Sequence, residues 1–411
     1  MAGIMSRFTP QKPLKAVWFC SFNPDYIKGK KPRFISGYSP NILAPWIDLL
    51  LDEVKVHKNV RVHLISTYYK LVKDFHYFED NVSYHLISQK MPFFRKTYPP
   101  LWEKMTGYYI LRRKIEKIIN NIEPDIIHYH GSDLDATQAF RGLGIPSLLT
   151  PVTFMDELYQ YFPTKENLNR LQREQWMFKK EKHFGIRANF MKHKIESLNP
   201  EANFHWHNYP IRKPNISAEQ FPEKDSEIVF AARLNQNKGI EDLIQAVGLL
   251  MRDVPAIRIK VIGDSGNPDY YSKILNMVEK LGLQSHFQFM GKVDSQEELF
   301  TEIAKAKVYV LPTYFDMIPG TIIESMYIGT PVVTYPVGGI PDLNLNGETV
   351  LFAERGNVPD LASKILRLLN EKQYSIGLSR AAMKYVSENY SNEKAASDIL
   401  TAYERIIESH V

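Results

Sequence analysis

The chain has 411 residues, 44% of them hydrophobic, one cysteine and a formal net charge of +5. Such a length and apolar content support a sizeable core and suggest two domains, which excludes a disordered chain or a small disulfide-built one. Residues 1–210 hold 30 Lys and Arg against 20 Asp and Glu, and residues 211–411 hold 21 against 26, so a basic half and an acidic half divide the binding work.

The first half opens with residues 14–22 (LKAVWFCSF), a continuous apolar run of the kind found in a central parallel strand. Cys20 lies inside that run, so it reads as buried, and no disulfide within the chain can form; the expected compartment is a reducing one. Residues 1–16 lack the apolar core of a signal peptide, and no apolar run is long enough to span a bilayer. The expectation is a cytoplasmic protein, soluble or peripheral on the inner membrane surface. A polar, basic loop (IKGKKPRFISGYSP, 27–40) carries Gly37. Residues 41–54 then predict a helix with Leu43, Trp46, Ile47, Leu50 and Leu51 on one face. Residues 60–66 (VRVHLIS) form the next strand. This rhythm predicts an α/β fold with a doubly wound parallel sheet.

Residues 90–120 interleave aromatics with Lys and Arg. A basic, aromatic helix can lie on an anionic membrane surface, where each nearby cation contributes about 1 kcal/mol. An ordinary amphipathic helix with Tyr109, Arg112, Arg113 and Lys117 on its wet side is the preferred reading. Residues 124–130 (PDIIHYH) predict a strand closed by His130, and ligands of open α/β sheets bind beyond the carboxyl ends of strands. A strand-end histidine also fits a structural role. Asp133 and Asp135 imitate a metal-binding acid pair, but they open what reads as a helix, where Asp is a common cap; no metal is expected. Residues 144–152 (GIPSLLTPV) predict a buried strand, and residues 153–167 an aromatic loop able to touch an acceptor. Arg187 in GIRAN reads as a surface residue or as one facing a cleft. Along FHWHNYPI, His205 and His207 share one face, which suits a metal pair or two structural histidines. With no third ligand nearby, the structural reading is preferred.

Residues 210–224 carry repeated prolines and no apolar period, which predicts a linker between a domain over 1–209 and another over 225–392. Two sheets joined by one hinge would carry the site in the cleft between them. The second domain opens with a strand over 228–232 (IVFAA). A turn from Arg233 to Gly239 follows, then a helix with Ile240, Leu243, Ile244, Val247 and Leu250 on one side. Arg233 and Lys238 bracket the turn. A planar fork and a compact point charge together suit a diphosphate, although two surface cations would look the same. Residues 257–263 form a strand ending in a turn at Gly263, which lets a ligand or a neighbouring backbone approach. Residues 287–293 (FQFMGKV) form another.

The most informative stretch is 309–339. It predicts a buried strand over 308–311, a loop, and a helix opening near Pro319–Gly320 with Ile322, Ile323, Met326 and Tyr327 on one face. Gly329 stops the helix, Pro331 forbids its continuation, and Val332–Val333 begin a strand. The backbone N–H groups at Gly320, Thr321 and Ile322 would meet the positive end of the helix dipole, a site for an anion. Asp316 and Glu324 flank it. Ionised carboxylates only accept hydrogen bonds, which suits sugar or ribose hydroxyls as well as plain solvent.

The run Asp316, MIPGTII, Glu324, SMYIGTPVV resembles the C-terminal signature of the retaining glycosyltransferases of the GT-B fold, family 4 (glycosyl transferases group 1). That signature is an acid, seven residues, then Glu; the first acid is usually Glu, and Asp316 is one methylene shorter. The resemblance covers residues 228–353 clearly and extends toward the C-terminus, but is poor over 1–200. It implies two Rossmann-like doubly wound domains, with a last helix over 393–411 that crosses back to the first. It also implies a nucleotide-sugar donor whose diphosphate is held by Arg233 and Lys238 and whose ribose is held by Glu324. Asp316 and His130 would contact the sugar, with Gly263 and the backbone from Met290 to Val293 against the nucleotide. Gly37 answers to the glycine-rich loop after the first strand. The acceptor would be a sugar, a lipid-linked sugar or another hydroxyl, in polysaccharide or glycolipid synthesis. No cofactor, metal or nucleic acid is implied, because cations stand where a metal would. Two alternatives are another GT-B enzyme, such as an epimerase or phosphorylase, and a nucleotide-sugar-binding subunit with little turnover.

Overall fold

The computed structural model describes residues 8–27, 29, 31–34, 45–89, 108–132, 143–214 and 224–410. Gly37, Asp133, Asp135, residues 90–107 of the basic aromatic stretch and residues 215–223 lie outside the described residues. The chain divides into two compact units. One joins Met1–Arg187, Lys192–Pro210 and Asn392–Val411; the other joins Ala188–Met191 and Ile211–Ser391.

In the first unit, β1 (Leu14–Cys20), β2 (Val60–Tyr68), β3 (Phe75–Glu79), β4 (Val82–Ser88), β5 (Ile126–His130), β6 (Ser147–Thr150), β7 (His183–Ile186) and β8 (Asn203–Trp206) form one sheet. Its order is β3-β4-β2-β1-β5-β6-β7-β8. Every pairing is parallel except β3 with β4. β1 lies in the middle, and all but one of its residues are buried, as a strand covered on both faces requires. The β3–β4 hairpin turns at Asp80, which takes a left-handed φ of 54°. Asn81 then staples the hairpin to its neighbours, donating through Nδ2 to the carbonyls of Val60 at 2.8 Å and His57 at 3.0 Å.

The helices of this unit are α1 (Pro45–Lys55), α2 (Tyr109–Ile122), α3 (Met155–Tyr161), α4 (Lys165–Lys180) and α5 (Asn189–Glu196), the last of which begins among residues grouped with the second unit. α2 buries Leu111, Ile115, Ile119 and Ile122 and leaves Tyr109, Arg113 and Lys117 outside, the face that period 3.6 assigns. The aromatic loop expected over 153–167 is not one, because α3 occupies its middle. Buried Glu174 on α4 receives the Met155 N–H at 2.7 Å and so anchors the first turn of α3. Arg187 is not a surface residue either. It is part-buried, with its guanidinium 4.2 Å from the centroid of the Tyr209 ring.

The second unit holds β9 (Ser226–Ala231), α6 (Ile240–Leu250), β10 (Ile259–Ile262), α7 (Pro268–Lys280), β11 (Phe287–Gly291), α8 (Gln296–Ala304), β12 (Ala306–Leu311), α9 (Gly320–Ile328), β13 (Val332–Thr334), β14 (Leu351–Phe352), α10 (Val358–Asn370) and α11 (Lys372–Asn389). The sheet runs β11-β10-β9-β12-β13-β14, all parallel. Strand order reverses between β9 and β12. In open α/β sheets ligands bind beyond the carboxyl ends of strands at such a point. α9 buries more than one face: Ile322, Ile323, Ser325, Met326 and Ile328 are all covered, while Tyr327 is half-buried. It stops at Gly329, whose φ of 81° suits only a residue without a side chain.

The final helix, α12 (Asn392–Glu408), belongs to the first unit. Its Ala396, Ile399, Leu400, Ala402, Tyr403 and Ile406 pack in one apolar cluster with Trp18, Ile47, Leu50 and Leu51. Among the described residues no helix is long and apolar enough to cross a membrane.

Candidate functional site

At the reversal point of the second sheet, the segments that follow β9 and β12 are laced together. The Tyr314 N–H donates to the Asn237 carbonyl at 2.7 Å, and the Thr313 hydroxyl lies 2.9 Å from the same carbonyl oxygen. The chains approach so closely at Gly239, φ 72°, that a Cβ there would stand 1.9 Å from the Pro312 carbonyl oxygen. Below them Tyr309 Oη reaches the Ala231 carbonyl at 3.0 Å and Thr321 Oγ1 at 2.7 Å. Behind them Tyr314 and Tyr335 both donate to Asp242 Oδ2 at 2.6 Å.

This lacing brings Lys238 to Asp316, residues 78 apart in sequence. Lys238 Nζ lies 2.6 Å from Asp316 Oδ2, and the Thr313 hydroxyl donates to the same oxygen at 2.8 Å. Both charged side chains are 19% exposed, so the pair is held at the protein edge and open to a ligand. Arg233, five residues before Lys238 on the same turn, is exposed.

α9 begins at Gly320, directly after Pro319 and four residues beyond Asp316. Among the described residues no side chain caps its amino end, so the N–H groups of Gly320 and Thr321 and the helix dipole remain available to an anion. A Cβ on Gly320 would meet nothing within 4 Å. The expectation for Ile322 is only partly met: its side chain is buried and its N–H already donates to the Pro319 carbonyl at 3.1 Å. Glu324, on the same helix, has its carboxyl pushed up to about 7 by burial, while a hydrogen bond from Gln296 and the charge of Arg212 pull it back down. A carboxyl balanced between its two forms near neutrality is set to be ionised by a partner that donates to it.

Gly263 follows β10 with φ 130°, and a Cβ there would stand 2.0 Å from the Ala232 carbonyl oxygen. Its smallness serves the neighbouring backbone, the second of the two uses expected of it. Met290 and Val293 are half-buried at the end of β11.

His130 lies in the first unit, at the carboxyl end of β5, paired in register with Cys20 on one side and Thr150 on the other. It is 3% exposed, and neither ring nitrogen has a hydrogen-bond partner among the described residues. Burial, with a smaller contribution from His207, lowers it to about 3, so the ring is neutral. His205 and His207 take different partners: His205 Nε2 lies 3.2 Å from His183 Nδ1, and His207 Nε2 lies 3.0 Å from Thr150 Oγ1. Among the described residues no three His, Cys, Asp or Glu side chains gather in a set able to hold a metal ion.

The sequence model of the family described as Glycosyl transferases group 1 matches residues 211–389. N-acetyl-alpha-D-glucosaminyl L-malate synthase of Bacillus anthracis is 25% identical over 181 residues, which are 44% of this chain and 46% of that one. A D-inositol 3-phosphate glycosyltransferase of Corynebacterium aurimucosum is 28% identical over 182 residues, 43% of this chain and 42% of that one. The chain thus aligns with just under half the length of these curated relatives. In structure it is similar to sucrose-phosphate synthase of Thermosynechococcus elongatus, with a TM-score of 0.76 at 16% identity, covering 96% of this chain and 100% of that one. HepE of Anabaena, solved with UDP and glucose, superposes with a TM-score of 0.63 at 14% identity over 96% and 99% of the two chains. Residues 211–389 thus match the glycosyl transferases group 1 family, and the chain has the GT-B fold of the solved structures it resembles.

Proposed function

We propose that the protein is a retaining glycosyltransferase that moves a sugar from a nucleoside diphosphate to an acceptor hydroxyl. One observation carries the reading most: the reversal point of the second sheet sets Lys238 against Asp316 beside the uncapped start of α9. A diphosphate there would meet a helix amino end, the Lys238 ammonium and the exposed Arg233 guanidinium, three sources of positive potential on one anion. Lys238 carries three N–H donors, so it can hold Asp316 and a phosphate oxygen together. Asp316 Oδ2 is engaged by Lys238 and Thr313, and the carboxylate's second oxygen would take a sugar hydroxyl. Glu324 would accept from the ribose hydroxyls, and His130 would meet a hydroxyl of the sugar.

In the reaction the bond from the anomeric carbon to the phosphate oxygen breaks and the bond to the acceptor oxygen forms on the same face. The departing phosphate takes the acceptor's proton, so no protein nucleophile is needed. The residues contribute positioning and charge stabilisation, as negative charge grows on the β-phosphate. We assign no metal to this step, since Arg233, Lys238 and the helix amino end supply the charge. The acceptor is a sugar, a lipid-linked sugar or another hydroxyl; the basic first half suits an acidic or membrane-borne one.

Incubation with labelled nucleoside-diphosphate sugars, with and without a cellular lipid extract, tests the reading. Label on an acceptor with retained anomeric configuration supports it. Interconversion of the donor alone would point to an epimerase, and binding without product to a low-turnover subunit.

A further inference from the structure

The last helix of the chain ends a buried hydrogen-bond chain that runs behind His130. Tyr403 of α12 places its hydroxyl 2.7 Å from His128 Nδ1. His128 Nε2 lies 2.8 Å from Thr150 Oγ1, which lies 3.0 Å from His207 Nε2. His207 Nδ1 closes the chain on the Asn208 carbonyl at 3.4 Å. All of these side chains are buried, and all belong to the first unit.

A carbonyl oxygen can only accept, and that fixes the direction of every bond in the chain. His207 must carry its proton on Nδ1 to reach Asn208, so its Nε2 accepts from the Thr150 hydroxyl. The Thr150 oxygen then receives the His128 Nε2–H. His128 Nδ1 is bare and accepts the Tyr403 proton. Each middle member donates once and accepts once, with every group neutral. Burial agrees with that assignment: it holds His128 well below the usual histidine range, His207 at about 4, and Tyr403 well above the usual phenol range. The space is closely filled, because a Cβ on Gly185 would stand 2.1 Å from Thr150 Oγ1 and 2.4 Å from His207 Nε2.

His130 rests on this chain without joining it. Its ring centroid lies 3.7 Å from that of His128 and 5.0 Å from that of Trp18. A polar group buried without a partner is costly, and a ligand hydroxyl would relieve the cost. We propose that Tyr403 is a positioning residue: it locks the His128 ring through Nδ1, and His128, packed against His130 with the ring planes tilted by 32°, limits how the His130 ring turns and so which way its nitrogen meets a sugar hydroxyl. The inference rests on the placement of His130 at a sugar hydroxyl under the proposed function. The C-terminal helix is then a working part of the site as well as a cover for the sheet.

The test uses the full chain labelled with 15N-histidine, observed by long-range proton–nitrogen spectroscopy, with His128→Asn and His130→Asn spectra to identify each ring. In the wild type His128 should show a protonated Nε2 and a bare, hydrogen-bonded Nδ1. Tyr403→Phe, which removes one oxygen, should move the Nδ1 signal toward that of an unbonded ring nitrogen and shift the His130 signals with it. Transfer should fall about tenfold in kcat with the donor KM unchanged, the scale of one lost hydrogen bond. Thr150→Val cuts the chain on the other side; it should release His128 to carry its proton on Nδ1 and donate to Tyr403. That exchange of tautomer tests the chain of bonds if Tyr403→Phe fails to fold, while the fall in kcat at unchanged donor KM is the readout that a merely structural role would not produce. A wild-type His128 protonated on Nδ1, or His130 signals and transfer both unmoved in Tyr403→Phe, would overturn the proposal. The spectra decide the chain of bonds even if the protein transfers no sugar, so the two readings can fail separately.

Discussion

Glu324 offers a quantitative test of the donor site. Its carboxyl sits near 7 because burial raises it, with Gln296 and Arg212 only partly offsetting that effect. Ribose hydroxyls donate to an ionised carboxylate, so nucleotide binding should favour the ionised form and drive off the proton. At pH 7 about half of the free protein has Glu324 protonated, and binding should release roughly half a proton. The ionised fraction rises roughly tenfold between pH 6 and pH 8, so affinity should rise by about the same factor, or about 1.4 kcal/mol. The same shift acts on folding. The folded chain binds this proton more tightly than the unfolded one, so the group's contribution to stability falls as pH rises from about 4.5 through 7. Calorimetry of UDP-glucose binding without acceptor, in two buffers of different protonation enthalpy, measures the proton directly. The diphosphate of this ligand is esterified at both ends and does not itself titrate near pH 7. Glu324→Gln should abolish the release and weaken binding by about 1–3 kcal/mol, since it turns half of the acceptor face into a donor. No proton release in the wild type, with unchanged affinity in Glu324→Gln, would remove Glu324 from the ribose.

Other residues of the site give shorter tests. Arg233→Ala and Lys238→Ala should each lower transfer by at least about 10²-fold, measured as kcat/KM with labelled donor; near-normal turnover in both would dissolve the diphosphate grip. Asp316→Asn should depress transfer on a similar scale yet leave UDP binding by calorimetry no weaker, because UDP has no sugar to lose. Asp316→Ala with normal transfer would end its role. Activity should survive excess EDTA; a loss restored by manganese or magnesium would reinstate a metal. Gly239→Ala should lower stability in urea by about 2 kcal/mol or more, because it adds both a strained φ and a collision with the Pro312 carbonyl. An unchanged midpoint would show that the two loops can part at little cost.

Much of the second unit was legible because its strands are uninterrupted apolar runs and its turns carry glycine and proline where helices start and stop. IVFAA and VYVL could hardly be anything but buried strands. The contact between Lys238 and Asp316 was not legible, since it depends on β9 and β12 being neighbours although two strands and three helices of sequence separate them. β3 escaped notice for a different reason. FHYFE lies half-buried at a sheet edge, so no apolar run marks it; the alternation on either side of Asp80–Asn81 was the available signal. α3 (MDELYQY) buries little besides Met155 and owes its first turn to Glu174, a partner 19 residues away that no local pattern reveals. His128 was passed over beside His130, because its partner Tyr403 is 275 residues distant.

The position of α12 in the chain also bears on how the protein comes to be folded. The first unit lacks Ile399, Leu400, Tyr403 and Ile406 from its apolar cluster until α12 has been made, although its sheet was synthesised before residue 211. At about 5–20 residues per second the ribosome needs roughly ten to forty seconds to make the intervening second unit. Over that interval the nascent sheet presents uncovered apolar surface near Trp18 and Leu50, while the second unit has its own sequence complete and can close first. Order of synthesis and order of completion are therefore reversed, and the nascent first unit is the natural client for a chaperone.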